Sequence, residues 1–203
     1  MSNIKHTKNE LKAQKEALQR FEKFLPMLQL KKQQLQSEIQ RITGEIVSVQ
    51  EKENNIREIM NPWISLFSET DQIEQIVSLE EKEFTQGNIA GVVIPVFSSA
   101  KVSVAQYDLF STPPWFDEAV DACRQLISLR VEREALSKQR ELISEELRTT
   151  SQRLNLFEKV KIPECRENIR VIKIFLGDQQ TAAVARGKLA KKRSLPSLTE
   201  MAA

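Results

Sequence analysis

Two heptad-patterned segments, one toward each end of the chain, restrict the fold more than any other feature. From Leu11 to Met60, steps of three and four land on Leu11, Gln14, Leu18, Phe21, Leu25, Leu28, Lys32, Leu35, Ile39, Ile42, Ile46, Val49, Glu53, Ile56 and Met60. A second series runs through Ala119, Ala122, Leu126, Leu129, Arg133, Leu136, Arg140, Ile143, Leu147, Thr150, Leu154 and Phe157. A stripe this narrow is the seam of a coiled coil, not the wider apolar face of a helix laid on a globular core. The expected fold is mainly α: a long antiparallel two-helix coiled coil with an inserted segment carrying a short helix and a β-hairpin. A chain organised in this way derives its function from shape.

The polar exceptions in the two seams set a register. Folding the arms back so that Ile42 meets Leu136 also sets Leu35 against Ile143, Val49 against Leu129 and Phe21 against Phe157. The same offset brings Arg140 beside Glu38, Arg133 beside Glu45, Lys32 beside Glu145 and Glu146, and Glu53 beside Arg124. Slipping by a heptad would press Arg140 on Lys31 or Lys32 on Arg153. Desolvated like-charge contacts of that kind cost more than the ~0.2–1 kcal/mol an exposed ion pair contributes.

Composition agrees with an extended helical protein. The 203 residues are 40% hydrophobic and 29% charged, with only five glycines. A formal charge of +2 gives no global field that selects nucleic acid or a membrane surface. Cys123 and Cys165 form no CxxC motif and read as reduced thiols packed on helices. No secretory leader is evident before Glu10. The longest near-apolar run, Ile89 to Phe97, falls far short of the ~18–20 residues that span a bilayer. The expectation is a soluble cytoplasmic chain with no direct membrane insertion.

Breaks in the pattern divide the chain into an N-terminal helical arm (1–60), an inserted segment (61–114), a C-terminal arm (115–177) and a basic extension (178–203) that is partly disordered. The first helix should begin between His6 and Asn9 and stop before Asn61-Pro62, because proline disfavours helical geometry in the residue before it. Pro26 lies inside that helix, where the seam continues, and so predicts a kink. Trp63 to Val77 reads as a short amphipathic helix carrying Ile64, Phe67, Ile73, Ile76 and Val77. Leu79–Thr85, a turn at Gln86-Gly87-Asn88 and Ile89–Val96 read as strand, turn and strand, with Lys101–Gln106 a short third strand. Pro95 belongs at an edge. Ser111-Thr112-Pro113-Pro114 reads as a turn before a second helix opened by Trp115, Phe116 and Asp117 and ended by Gly177. Past Phe157 the apolar positions shift phase to Ile162, Cys165, Ile169, Ile172 and Leu176. The eleven residues from Leu154 to Cys165 have the spacing of a stutter, with Pro163 beside it.

No catalytic constellation accompanies this architecture. There is neither a GxxxxGK[ST] nor a GxGxxG pattern, and the one histidine, His6, sits in a polar segment. The carboxylates alternate with basic residues along helix faces, as at Glu132-Arg133 and Glu145-Glu146 before Arg148. That is the arrangement of solvated or pairing faces rather than acid–base dyads. Catalytic, cofactor-binding and metal-binding residues are therefore expected to be none. The cluster Arg186, Lys188, Lys191, Lys192 and Arg193 lacks the stacking aromatics of a single-strand nucleic-acid site. A tail or a contact with an acidic protein surface is the better reading, with no nucleic acid bound.

Four stretches then resemble a known family. Phe24-Leu25-Pro26-Met27-Leu28-Gln29-Leu30-Lys31-Lys32-Gln33-Gln34-Leu35 is similar to the L-x-L-K-x-K-x-x-L signature of the D subunit of V/A-type rotary ATPases. Arg153-Leu154-Asn155-Leu156-Phe157-Glu158-Lys159-Val160-Lys161-Ile162-Pro163 resembles its RVNxxEKxxIP element. Asn88-Ile89-Ala90-Gly91-Val92-Val93-Ile94-Pro95 resembles its NIxGVxVP strand, and Tyr107 to Trp115 its YSLxxTP turn, though Ser111 and Thr112 follow a phenylalanine. Pro26 and the Lys-Leu-Ala-Lys-Lys-Arg tail resemble the bacterial branch.

The resemblance implies a non-catalytic central-stalk rotor shaft. Its termini would project into a catalytic head of A and B subunits, where the nucleotide sites lie. Its middle would lean on a small central-stalk subunit, near an adaptor seated on the membrane ring. Such a shaft is not a homo-oligomer and lies peripheral to the inner membrane. Charged outer positions (Lys12, Lys15, Arg20, Lys23, Lys31, Arg166 and Arg170), with the seam residue Lys32, suit a rotating contact with the head. The strand bearing Ile89, Val92 and Ile94 suits the small partner. Two rivals from other classes are a self-associating coiled-coil scaffold or tether and a basic-tailed nucleic-acid-binding hairpin.

Overall fold

A computed structural model describes residues 4–69, 76–107 and 112–194. Along the chain run helix α1 (Lys8–Met60), a 3₁₀ segment (Asn61–Glu69), strands β1 (Val77–Ile89) and β2 (Val92–Val104), helix α2 (Phe116–Leu156), a π-helical turn (Phe157–Lys161) and helix α3 (Ile162–Ser194). The backbone gathers into two compact units, one made of residues 30–151 and the other of 1–29 with 152–203.

Helix α1 starts and stops where local chemistry directs. The Thr7 hydroxyl accepts a hydrogen bond from the Glu10 amide at 3.2 Å, capping the first turn. Pro62 follows the last α-helical residue, Met60, by two. Pro26 lies within the continuous helix.

In the unit of residues 30–151, Leu35, Ile42 and Val49 of α1 join Leu136 and Ile143 of α2 in one buried core. These are residues of both heptad series. Around them pack Ile39, Ile46, Leu129, Leu142 and Leu147. The β-hairpin adds Ile94 to the same core, with Ile89, Ala90 and Val92 packed against it. A two-stranded hairpin is marginal alone in water, so this apolar face supplies the support it needs. Gln139 donates from Nε2 to the Pro95 carbonyl at 2.6 Å, and Lys82 reaches Glu134 at 2.8 Å. A second cluster, at the hairpin's base, joins Val77, Phe116, Ala119 and Val120 to Phe67, Ile76, Val102, Tyr107 and Trp115.

Several expectations for the insertion change. The segment after Met60 is a 3₁₀ helix ending at Glu69; Ile73 lies outside the described residues, and Val77 opens β1 rather than closing a helix. The turn is Ala90-Gly91, not Gln86-Gly87-Asn88, which pairs in the ladder with Pro95, Ile94 and Val93. Both turn residues have positive φ, 51° and 86°, the signature of a two-residue turn whose twist matches the strands. The Asn88 side chain accepts from the Gly91 amide at 2.9 Å and closes it. Lys101 to Val104 continue β2 and make no third strand. Pro95 is tolerated because both strands of a two-stranded sheet are edges.

In the unit of residues 1–29 and 152–203, Phe21 meets Phe157 with ring centroids 5.0 Å apart, as the register requires. Leu154, Ile162, Cys165, Ile169 and Ile172 are buried, so the phase shift after Phe157 is real. Its cause is the π-helical turn, in which the Ile162 amide bonds back five residues to the Phe157 carbonyl. The turn absorbs one surplus residue and moves the seam on by one position. Pro163 follows directly, where a tighter ladder would set its ring against the carbonyl four residues back. Gly177 does not end the helix: α3 continues to Ser194, with Gly177 to Arg193 exposed along its whole circumference.

Candidate functional site

The surfaces of the two arms are built largely from ion pairs. Lys31 pairs with Glu146 at 2.5 Å, each side chain about one-third exposed. The register pairs Glu146 with Lys32, one residue on; Lys32 has no ion pair among the described residues. Glu53 is the notable seam residue, 1% exposed, with Arg133 Nε at 3.2 Å and Arg57 at 3.7 Å. Neither carboxylate oxygen takes a well-directed hydrogen bond, so the contact is chiefly ionic. Here the expected pairings fail: Arg133 reaches Glu53 rather than Glu45, and Glu53 does not take Arg124. Arg41 claims both Glu38, at 2.9 Å, and Glu45. At Arg41 the neighbours three residues before and four after are held close by the helix itself, and they take the place of cross-helix partners. Arg140, expected beside Glu38, is left without an ion pair among the described residues.

In the unit of residues 1–29 and 152–203, Arg166 reaches across to Glu22 at 2.8 Å. Arg170 pairs with Glu167 on its own helix, whose hydrogen bond raises the guanidinium pKa and lowers that of the carboxyl. His6 lies over Phe175, centroids 4.9 Å apart, and Asn168 donates to Gln14 at 3.4 Å. Both cysteines are free thiols, and burial raises the pKa of each. Lys31, Lys32, Arg166 and Arg170 thus all lie on the helical arms, three of them already engaged by intramolecular carboxylates. Ile94 is 3% exposed, and Ile89 and Val92 pack beside it, so these three hold the hairpin to its own helices. The hairpin's exposed apolar side chains include Phe84 and Val93.

Among the described residues, no group of three His, Cys, Asp or Glu side chains is placed to hold a metal ion, and no helix is long and apolar enough to cross a membrane. What the geometry offers is a paired, charged surface over an apolar seam.

A family model describing the D subunit of ATP synthase matches residues 10–192. The chain belongs to this family. The match covers both helical arms and the hairpin between them, so the seam and the insertion are family features rather than accretions on a shorter coil. Individual relatives carry the same likeness. A protein of Borreliella burgdorferi, named as the D subunit of a V-type ATP synthase, is 47% identical over 191 residues, 94% of this chain and 95% of the relative. Proteins of the same name from Chlamydia muridarum and Chlamydia pneumoniae are 35% and 33% identical, over 95% and 94% of this chain and 96% and 92% of theirs.

One contact carried no usable sequence signal, and one surface feature did carry one. Gln139 reads as a surface glutamine until the hairpin carbonyl is placed beside it. Phe24, Met27, Leu156 and Val160 are exposed, although large apolar residues outside the seam positions are visible in the sequence itself.

Proposed function

We propose that this chain is the central-stalk subunit of a V-type ATP synthase, a non-catalytic shaft that transmits torque between ion flow through the membrane ring and ATP synthesis or hydrolysis in the catalytic head. The observation that carries this reading is the apolar seam between antiparallel arms, because torque passes along a helix pair only while the layers cannot slide past one another. Close packing resists such sliding, since each displaced layer loses its contacts at once. The asymmetric insertion and the prolines let one shaft present different surfaces to equivalent catalytic interfaces.

The head contacts belong to the end that carries both termini, with Lys31, Lys32, Arg166 and Arg170 among the charges facing it. The small central-stalk subunit takes the hairpin region through its exposed side chains, since Ile89, Val92 and Ile94 are used internally. The adaptor on the membrane ring lies nearby. The chain itself stays peripheral to the inner membrane and binds no nucleotide.

Purification of the ATP synthase from native membranes tests the reading. The expected result is one copy of this chain for three catalytic pairs. Its absence, or equal stoichiometry with the catalytic subunits, would overturn the assignment.

A further inference from the structure

A heptad seam by itself leaves two arms free to slide. Seven residues make two turns, so moving α2 along α1 by one heptad, about 10 Å, sets most apolar layers against apolar residues again. What such a slip changes is the charge met at each polar position. Among the described residues, two ion pairs join α1 to α2: Glu53 with Arg133 at 3.2 Å, and Lys31 with Glu146 at 2.5 Å. The hairpin adds no polar tie between the arms. Its bonds to the helices, from Lys82 to Glu134 and from Gln139 to the Pro95 carbonyl, both end on α2.

The two pairs block opposite directions of slip. Sliding α2 so that residue 126 takes the place of 133 sets Leu126 beside Glu53. That carboxylate is 1% exposed, and neither oxygen takes a hydrogen bond. It would stay buried with only Arg57 of its own helix, 3.7 Å away and more than half exposed. Sliding the other way sets Arg140 beside Glu53, an exchange of one arginine for another that costs little. The same slip brings Arg153 to the place of Glu146 and presses it on Lys31, whose side chain is only about one-third exposed. Each pair forbids the slip that the other permits.

We propose that Glu53–Arg133 and Lys31–Glu146 act together as a two-point lock on the axial register of the arms, one pair stopping each direction of slip. A buried charge pair adds little net stability, but it discriminates against arrangements that separate its partners. The lock belongs to the chain by itself. That it serves to carry load rests on the shaft reading, which the stoichiometry of the complex tests separately.

Double electron–electron resonance on the full chain tests the lock. Nitroxides are carried on p-acetylphenylalanine at the exposed positions Gln36 of α1 and Gln125 of α2, which leaves Cys123 and Cys165 untouched. Without further substitution the arms should give one distance. Glu53→Leu should add a population about 10 Å shorter. Lys31→Glu, which repels Glu146 and attracts Arg153, should add one about 10 Å longer. Lys31→Ala, which only removes the repulsion from Arg153, should add the same longer population to a smaller extent. Glu51→Leu, the loss of an exposed glutamate on the same helix, should add neither. The variants should fold, since one replaces a buried charge with an apolar side chain and the others alter a partly exposed lysine; helix content by circular dichroism checks it. An unchanged single distance in Glu53→Leu or in both Lys31 variants would overturn the two-point lock. Shifts of the same sign in both directions of the test would do so too, and neither outcome touches the assignment to the ATP synthase.

Discussion

Glu53 and Tyr107 show how single side chains in this molecule are governed by their neighbours. The Glu53 carboxylate is buried in the seam beside Arg133, whose own side chain is one-third exposed. Burial makes such a pair poor at stabilising but costly to break on one side. Arg133→Leu should therefore lower stability by about 3 kcal/mol, whereas Glu53→Leu should be neutral or stabilising; urea unfolding midpoints compare them. The reverse ranking would mean the pair is not desolvated. Tyr107 is the chain's one tyrosine, and its hydroxyl donates to Asp117 at 2.7 Å. That hydrogen bond, to a group already negative, raises the phenol's pKa above its ordinary value. A raised pKa gives stability that is present below the unfolded value near 10 and lost as pH rises through the folded one. Absorbance at alkaline pH should show a midpoint above the model-peptide value, and Asp117→Asn should bring it down. The sequence announces Glu53 as a seam exception, but its partner is hidden by the length of arginine. Arg133 lies eight residues, about two helical turns, beyond the position the expected register sets opposite Glu53, so charge complementarity read from the sequence did not give the pairs.

At the scale of elements, periodicity was legible and turn chemistry was not. Apolar residues such as Leu35, Ile42 and Ile143 face inward as their spacing requires, and helix α1 ends just before Pro62. The hairpin turn is hard to place from sequence because Gln-Gly-Asn contains the usual turn residues, while Ala90 is a poor candidate for positive φ. Ala90 is accepted there because the strands and the Asn88 hydrogen bond fix both sides of it. It follows that Ala90→Asn, which suits the left-handed region, should stabilise the hairpin by roughly 0.5–1 kcal/mol. Slower amide exchange across β1 and β2 would register the gain, and faster exchange would contradict the turn geometry. The end of α3 is equally hard to read. Gly177 lowers helix propensity by only about 1 kcal/mol, which does not stop a helix already propagating. Candidate contact residues are the least legible of all. Ile89, Val92 and Ile94 are apolar on a hairpin, and sequence alone does not say whether such a face meets its own helices or another protein.

For the molecule as a whole, torque transmission requires the seam to survive load. Leu35 has no exposure and lies in the core it shares with Ile42 and Ile143. A carboxylate at that position must be hydrated, which separates the helices locally, or protonated at a cost. Leu35→Asp should therefore reduce ATP-driven ion pumping more than it reduces ATP hydrolysis, measured side by side in reconstituted vesicles. Equal loss of both, or retention of full coupling, would count against the shaft role.

The π-helical turn has a consequence for what the chain contains. Residues 157–161 hold one amino acid more than an uninterrupted heptad pairing consumes, which is why Ile162 and Cys165 occupy the positions that 161 and 164 would otherwise fill. Deleting a single codon there, together with Pro163→Ala, would leave the same apolar residues facing Phe21 and its neighbours. The shortened protein would be regular from Phe116 onward. It would also have lost the one joint at which the two phases of the seam meet, a joint that cannot slide along the helix without turning buried residues outward.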